Sequence, residues 1–242
     1  MRGVWLALLL CAQGVFAAQV EPALPGEIRL ASEVWSGHTE ADGRGLAWDI
    51  LRAVFEPAGI KLQIRSVPYT RSIGLVQRGE ADAWVGSYLN EVREGVFYSH
   101  WHYDADQISA LSRADGPEVS LATLGDFRRA WVRGYAYQKY LPNLTDFQEI
   151  YRRDGILSML ALGHMDFYID ARTEVDDVLG EAADKSTYRV TDITLLPLYL
   201  GFADTPDGHA LAQLFDRRMA TLVKAGSLRP LYARWQQPYP FK

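Results

Sequence analysis

The stretch GLAWDILRAVFEPAGIKLQIRSVPYTRSIGLVQRGEADAWVGS, residues 45 to 87, decides the fold. From 46 to 58 the apolar residues recur at helical spacing, and Gly59 follows as a helix-ending residue. An alternating strand at 61–67 comes next, then a second helix at 70–78 and a buried strand. With the short strand that precedes this stretch, the order of strand, helix, strand, helix and strand predicts a parallel α/β sheet.

A near repeat suggests that this unit occurs twice. RGEADAWVGS at 78–87 and LGHMDFYIDA at 162–171 each give a helix end, a glycine, an aspartate and a buried strand. The similarity predicts two lobes of related architecture. The alternative is chance, because a helix, a glycine and a strand follow one another in many α/β proteins.

The first residues, MRGVWLALLLCAQGVFAAQV, have the layout of a secretory signal peptide, with one basic residue, an apolar run and small residues. We expect 1–17 to be the signal peptide, removed after Ala17, and the mature protein to be periplasmic. Lipid attachment at Cys11 is disfavoured because Leu10 precedes it. Cys11 is the sole cysteine of the sequence, so we expect no disulfide, thiol nucleophile or Cys-ligated metal in the exported form.

The charge balance excludes other classes of partner. The chain has 25 basic and 30 acidic residues, a formal net charge of -5, and no basic cluster. This composition argues against nucleic acid and anionic membrane surfaces as partners. The sequence also shows no phosphate-binding loop and no nucleophile with a partner base.

Ligands of open α/β sheets sit beyond the carboxyl ends of the strands, so the residues there are the candidate site. These candidates are Glu33, Trp35, Tyr69, Ser87, Arg93, Gly134, Tyr135, Ala136 and Asp170. Arg93 and Asp170 on opposite walls would match the carboxylate and the ammonium of an amino acid, flanked by rings such as Tyr69. The alternative for either charge is a surface or structural ion pair.

The ordered pieces resemble a known family, the family 3 periplasmic solute-binding proteins that serve ABC importers of polar amino acids. They are IRLASE, the stretch at 45–87, REGVFYS, LATLGDFRRAWVRGYAY, LALGHMDFYIDA, LPLYLGFAD and LVKAGSLRPLYARW. The resemblance covers nearly the whole mature chain. It implies an α/β, two-lobed periplasmic-binding-protein type II fold, in which each lobe is a mostly parallel sheet flanked by helices and the ligand lies between the lobes.

The resemblance also implies a division of the chain. Lobe 1 would comprise 18–112 and 200–242, and lobe 2 would comprise 113–199. The two hinge crossings would lie near 110–113 and 198–202.

Roles for single residues follow from the same resemblance. It places Glu33 as the acid of the first strand, Tyr69 as the stacking ring and Arg93 as the carboxylate ligand. Gly134 to Ala136 would give backbone and hydroxyl contacts, and Asp170 would bind the ammonium. Two departures stand out: the segment SYLNEVR is one residue shorter than usual, and Tyr135 replaces a small hydroxylic residue.

We therefore expect a monomeric solute-binding protein that captures a small polar ligand, an amino acid or related small carboxylate, for an ABC permease, without cofactor or metal and without inserting into the membrane. One alternative is a cyclohexadienyl or arogenate dehydratase-like enzyme on the same fold, and another is a sensor or accessory protein without a transporter. In YSHWHY, residues 98–103, His100 and His102 alternate and could bind a metal, whereas Trp101 or Tyr103 could line the cleft.

Overall fold

A computed structural model describes residues 24–242 of the protein. The expected signal peptide, its cleavage after Ala17 and Cys11 lie outside the described residues. The strands are β1 (Glu27–Ser32), β2 (Lys61–Ser66), β3 (Ala83–Ser87), β4 (Val96–Tyr98), β5 (Asp104–Arg113), β6 (Arg129–Val132), β7 (Gln148–Ile150), β8 (Phe167–Ala171) and β9 (Tyr188–Ala203). The α-helices are α1 (Leu46–Phe55), α2 (Tyr69–Gln77), α3 (Ile156–Ala161), α4 (Arg172–Gly180), α5 (Pro206–Lys224) and α6 (Arg229–Arg234).

The strands form two connected sheets, one in each lobe. In the first lobe β2, β1 and β3 are parallel, and β9 runs antiparallel beside β3 and β4. In the second lobe β8, β6 and β7 are parallel, and β5 lies antiparallel between β8 and β9. The expected two-lobed α/β fold is confirmed. Each lobe has a mixed sheet, which consists of three parallel strands and neighbouring antiparallel strands.

Two long strands, β5 and β9, join the lobes. They pair antiparallel from Asp104 opposite Leu198 to Arg113 opposite Tyr188. Beyond Leu198, β9 continues into the first sheet, where Tyr199 pairs with Ser87. The pairings put the first passage between sheets near Asp104, earlier than 110–113, and the second near Leu198. The division at residues 112 and 199 stays a prediction.

The sequence pattern explains the helices that cover the first sheet. Helix α1 buries Leu46, Ile50, Val54 and neighbouring apolar residues on one side. It ends through a short 3-10 turn at Gly59, whose φ of 80° is a left-handed conformation that glycine adopts without strain. Thr205 begins α5 by accepting a hydrogen bond from the backbone N–H of Gly208, as N-cap residues do.

The parallel units also fix where side chains can meet. Strand β3 ends the first-lobe unit and β8 ends the second-lobe unit, so Gly86 and Asp170 lie at matching strand ends, as the near repeat indicated. Both residues line one cavity between the lobes. No helix within 24–242 combines the length and apolar character that a membrane-spanning segment needs.

Candidate functional site

The candidate site is a cavity between the lobes with aromatic walls. Its rings come from both lobes: Trp35, Tyr69, Tyr88, Tyr103, Tyr135 and Tyr137. Its ionisable residues are His38, Asp106, Asp170 and Glu174. The space open to the centre of a water molecule is about 40 Å³, and each buried water needs about 10–15 Å³ on this measure. The cavity therefore has room for a few waters, and an amino-acid-sized solute requires the walls to move apart.

Four of the sequence-predicted site residues line this cavity. They are Trp35, Tyr69, Tyr135 and Asp170. The three aromatic rings among them are in contact, with centroids 5.9 Å apart for Trp35 and Tyr69 and 5.6 Å apart for Tyr69 and Tyr135. Since Tyr69 belongs to the first lobe and Tyr135 to the second, this aromatic contact spans the cleft.

Four further predicted residues lie beside the cavity without lining it. Glu33 accepts a hydrogen bond from the backbone N–H of Tyr69 at 3.0 Å. Ser87 is buried and donates to the Glu91 carboxyl at 3.0 Å. A side chain at Gly134 would meet Thr70 of the other lobe at 2.5 Å, so glycine there permits the close approach of the lobes. Ala136 has a left-handed φ of 52° and begins a short 3-10 turn.

The expected pairing of Arg93 and Asp170 across one gap is wrong. Arg93 is exposed and lines a separate open depression with Val92 and His100. The side chain that turns inward from the same loop is Glu91, which is 5% exposed. The Glu91 carboxyl accepts hydrogen bonds from the Tyr69 hydroxyl at 2.5 Å and from Ser87. Burial raises the pKa of Glu91 to about 7, against the lowering effect of these hydrogen bonds.

The histidine pair is not part of the cavity. His100 is exposed, and the ring of His102 stacks on Phe241 with centroids 4.7 Å apart. Within residues 24–242, no group of three or more His, Cys, Asp or Glu residues has the arrangement of a metal site. Of the two aromatic residues beside the histidines, Tyr103 lines the cavity.

Asp170 is already bound by a guanidinium, and it comes from Arg153. The Arg153 Nε donates to Asp170 Oδ2 at 3.1 Å, and Nη2 lies 3.0 Å from Glu174 Oε2. The same nitrogen donates to the Tyr135 hydroxyl at 2.8 Å, and Nη1 lies 3.8 Å from Glu33 Oε1 across the cleft. Arg153 therefore holds the place that the resemblance gives to the ammonium of a ligand.

Burial changes the titration of the acids around Arg153. It raises the pKa of Glu174 above its usual range, although the Arg153 charge opposes this shift, and Asp170 adds to it. Burial also raises the pKa of Glu33, partly offset by the Tyr69 N–H and by Arg153. For Arg153 burial disfavours the charge, but Asp170 and its other anionic neighbours raise the pKa above the ordinary value. The guanidinium remains charged at any physiological pH.

A second acidic group faces the cavity from strand β5. Asp106 Oδ2 accepts a hydrogen bond from the Tyr88 hydroxyl at 2.8 Å. Burial raises the pKa of Asp106 to about 7, with His38 and Tyr88 lowering it and with Asp104 and Asp170 raising it. His38 Nε2 lies 2.8 Å from Asp104 Oδ2. Burial opposes the His38 charge, but Asp104 outweighs it and raises the His38 pKa.

Direct contacts between the lobes surround the cavity. Trp35 Nε1 donates to the Tyr135 hydroxyl at 3.1 Å, and Lys139 Nζ donates to the Glu91 carbonyl at 2.7 Å. The ring of Tyr140 packs against Tyr88 with centroids 5.1 Å apart. The lobes are therefore in contact in this structure.

Sequence reasoning missed most of the polar wall. The polar lining residues that were not predicted are His38, Thr39, Asp106, Thr173 and Glu174. The spacing of Asp104 and Asp106 in a strand was a usable signal, because alternate residues face one side. Nothing in the sequence distinguished Arg153 from its exposed neighbour Arg152.

A two-lobed α/β fold with a cavity between the lobes defines a class of ligand-binding proteins. The chain belongs to the bacterial extracellular solute-binding proteins, family 3, whose model matches residues 36–238. No curated protein sequence matches the chain.

Solved structures share the fold at low identity. The chain resembles the substrate binding protein of an amino acid ABC transporter, with 18% identity, a TM-score of 0.67, and 87% of this chain and 99% of that chain covered. It resembles an ABC uptake transporter substrate binding protein from Streptococcus pneumoniae with bound histidine, with 15% identity, a TM-score of 0.66 and 87% and 92% covered. It also resembles a histidine kinase sensor domain, with 18% identity, a TM-score of 0.68 and 86% and 95% covered. The family and the two transporter proteins among these neighbours are binding proteins, which agrees with the expectation that this chain is not an enzyme.

We predict that Arg153→Gln is strongly destabilising, because it leaves Asp170 and Glu174 without their cation. Breaking a buried ion pair from one side costs about 3–5 kcal/mol, and each kcal/mol lowers Tm by about 2–4 °C in a domain of this size. Thermal unfolding of the purified protein should show a fall in Tm of at least about 6 °C. Arg152→Gln, an exposed neighbour, is the control and should leave Tm unchanged. Equal Tm values for the two variants would contradict the role of Arg153.

We predict that Asp106→Asn stabilises the protein more as the pH rises. Between about pH 4, the unfolded pKa, and about pH 7, the folded pKa, the folded state keeps a proton that the unfolded state has lost, so rising pH costs the parent stability. Asparagine does not titrate, so the Tm difference between variant and parent should grow from pH 5 to pH 8. His38, Asp104, Asp170 and Tyr88 face Asp106 in both proteins. A Tm difference for Asp106→Asn that stays flat from pH 5 to pH 8 would refute the assignment.

Proposed function

We propose that this chain is a monomeric periplasmic binding protein that encloses a small polar solute between its lobes and delivers it to the permease of an ABC importer. The solute carries at least one positively charged nitrogen, a class that includes amino acids. The observation that carries the proposal is the cavity itself, where rings from both lobes surround three carboxyl groups, those of Asp106, Asp170 and Glu174.

The arrangement supports capture by closure of the lobes. The cavity lies where β5 and β9 join the sheets, and its walls meet through contacts such as Trp35 with Tyr135. Motion about two connecting strands would separate the aromatic walls and admit a solute, as in hinge-closing proteins. Micromolar affinity requires about 8 kcal/mol, which several buried ring contacts and one charge-assisted hydrogen bond are able to supply.

The named neighbours support amino acids as a starting class, since one serves an amino acid transporter and another holds histidine. The acids in the cavity would supply the partner for an ammonium group. Glu33, Trp35, Tyr69, Tyr135 and Asp170 remain proposed ligand-binding residues. Ser87, Gly134 and Ala136 support the cavity wall or the contact between lobes, and Arg93 is withdrawn.

A sensor is the second candidate function, because a histidine kinase sensor domain shares the fold. Such a protein would bind its solute in the same cavity and report it to a separate partner. Deleting the gene distinguishes the two. Loss of uptake of the radiolabelled solute favours import, whereas unchanged uptake with an altered transcriptional response to the solute favours sensing.

We predict that Trp35→Ala weakens solute binding at least about tenfold, since its ring forms part of the cavity wall. A thermal-shift screen over amino acids, amines, small carboxylates and cyclic acids would find the solute, because a ligand at a hundredfold excess over Kd stabilises by about 2.7 kcal/mol. Calorimetry then compares the parent, Trp35→Ala and Tyr151→Ala. Tyr151 is 76% exposed and lies away from the cavity, so its variant should bind like the parent. Unchanged binding by Trp35→Ala would place the solute elsewhere.

A further inference from the structure

The charges around the cavity are unbalanced in one direction. Five carboxyl groups cluster at or beside it, those of Glu33, Asp104, Asp106, Asp170 and Glu174. Among residues 24–242, two basic side chains form ion pairs with them, and both are engaged: His38 with Asp104, and Arg153 with Asp170 and Glu174. No Lys or Arg is among the described residues that line the cavity.

One carboxyl oxygen in this cluster has no partner. The Glu174 side chain is 8% exposed, and its Oε2 is bound by Arg153. The other oxygen, Oε1, is buried and makes no hydrogen bond with any described residue. A buried polar atom without a partner destabilises the folded protein, and Glu174 lines the cavity. A donor group brought by a solute would remove this destabilisation.

The aromatic walls favour the same kind of solute. The face of an aromatic ring attracts cations within about 6 Å of its centre and repels anions. Six rings line the cavity, including Tyr69 and Tyr135 on opposite lobes. Arg153 illustrates the preference, because its guanidinium lies 5.7 Å from the centre of the Tyr135 ring.

A carboxylate has no comparable place. Of the two cations, Arg153 is surrounded by Asp170, Glu174 and Glu33. His38 is paired with Asp104 and lies close to Asp106. An anion placed at either cation would therefore lie beside acids. Arg93, which the resemblance made the carboxylate ligand, lines a different depression. The cavity therefore has acids for the ammonium of a zwitterion but no free cation among the described lining residues for its carboxylate.

We propose that the solute is an organic cation without a carboxylate, an alkylamine, guanidinium or quaternary ammonium compound, bound between the rings against Glu174 and Asp106. This inference rests on the proposed function and narrows it. It assigns Glu174 as the acid that pairs with the cationic group, with Oε1 accepting a hydrogen bond where that group is an amine or a guanidinium. It assigns Asp106 of β5 as the second carboxyl in the cavity.

The experiment uses pairs of compounds that differ in the carboxylate: agmatine and arginine, cadaverine and lysine, putrescine and ornithine, choline and glycine betaine. Each is titrated into the purified protein by calorimetry at pH 8, after a thermal-shift screen. We expect at least one member without the carboxylate to bind ten or more times tighter than its partner. Glu174→Gln, which keeps the shape and removes the charge, should weaken that binding at least tenfold, and so should Asp106→Asn.

The matched control is Glu181→Gln, an exposed acid at the C-cap of the same helix α4, which should bind like the parent. If a carboxylate-bearing member binds as tightly as its partner or tighter, the inference fails while the proposed capture of a solute stands. Failure of all eight compounds also overturns the inference. The proposed function is then tested by the thermal-shift screen over amino acids, amines, small carboxylates and cyclic acids. It is refuted as well only if no solute in that screen shows binding that Trp35→Ala weakens.

Discussion

The antiparallel pairing of β5 with β9 is the constraint on which the site depends. Residues Asp104 to Arg113 of β5 pair with Leu198 to Tyr188 of β9. Beyond Leu198, β9 continues into the sheet of the first lobe. The same ladder carries Asp106 and Leu198 into the cavity wall, and β8 adds Asp170 opposite Ser109. Part of the cavity wall thus belongs to the strands that join the lobes. Asp106 and Asp170 lie in the same second-lobe sheet, so a change in lobe angle moves them together relative to the first-lobe rings of Trp35 and Tyr69.

Several acids are buried beside the paired strands β5 and β9, and hydrogen bonds and ion pairs within the protein partly offset the cost of their burial. Removing a carboxylate from water is expensive unless hydrogen bonds and an opposite charge replace the lost hydration. Asp170, fully buried, receives Arg153, the Tyr137 hydroxyl and the Tyr168 hydroxyl. Glu174 receives only a share of the same guanidinium. Asp170 is therefore better satisfied by the protein than Glu174, and the unsatisfied oxygen of Glu174 is where a solute gains most.

The local part of the fold was predictable, and the polar half of the site was not. Helical and alternating periodicities within 45–87 specified α1, β2, α2 and β3, because each depends on neighbours in sequence. The repeat located Asp170 at the cleft for the same reason. Arg93 failed because the backbone turns at Asn90, with a positive φ of 61°, and leaves Glu91 inside and Arg93 outside. Arg153 follows the short strand β7, and its partners are identified by tertiary contacts that no local pattern encodes.

The contacts that hold the lobes together also connect to the cavity wall. The backbone carbonyl of Glu91 accepts a hydrogen bond from Lys139 of the second lobe, and its carboxyl accepts one from the Tyr69 hydroxyl. A solute that presses on the Tyr69 ring therefore acts on the residue that binds the opposite lobe. A ligand shifts a conformational equilibrium only by its difference in affinity for the two states. Because the lobes meet through protein contacts of their own, the solute needs to supply only the remainder of the closing free energy. A cationic solute bound to Glu174 of the second lobe favours the closed state by also packing on first-lobe rings such as Trp35 and Tyr69, because those contacts form only when the lobes meet.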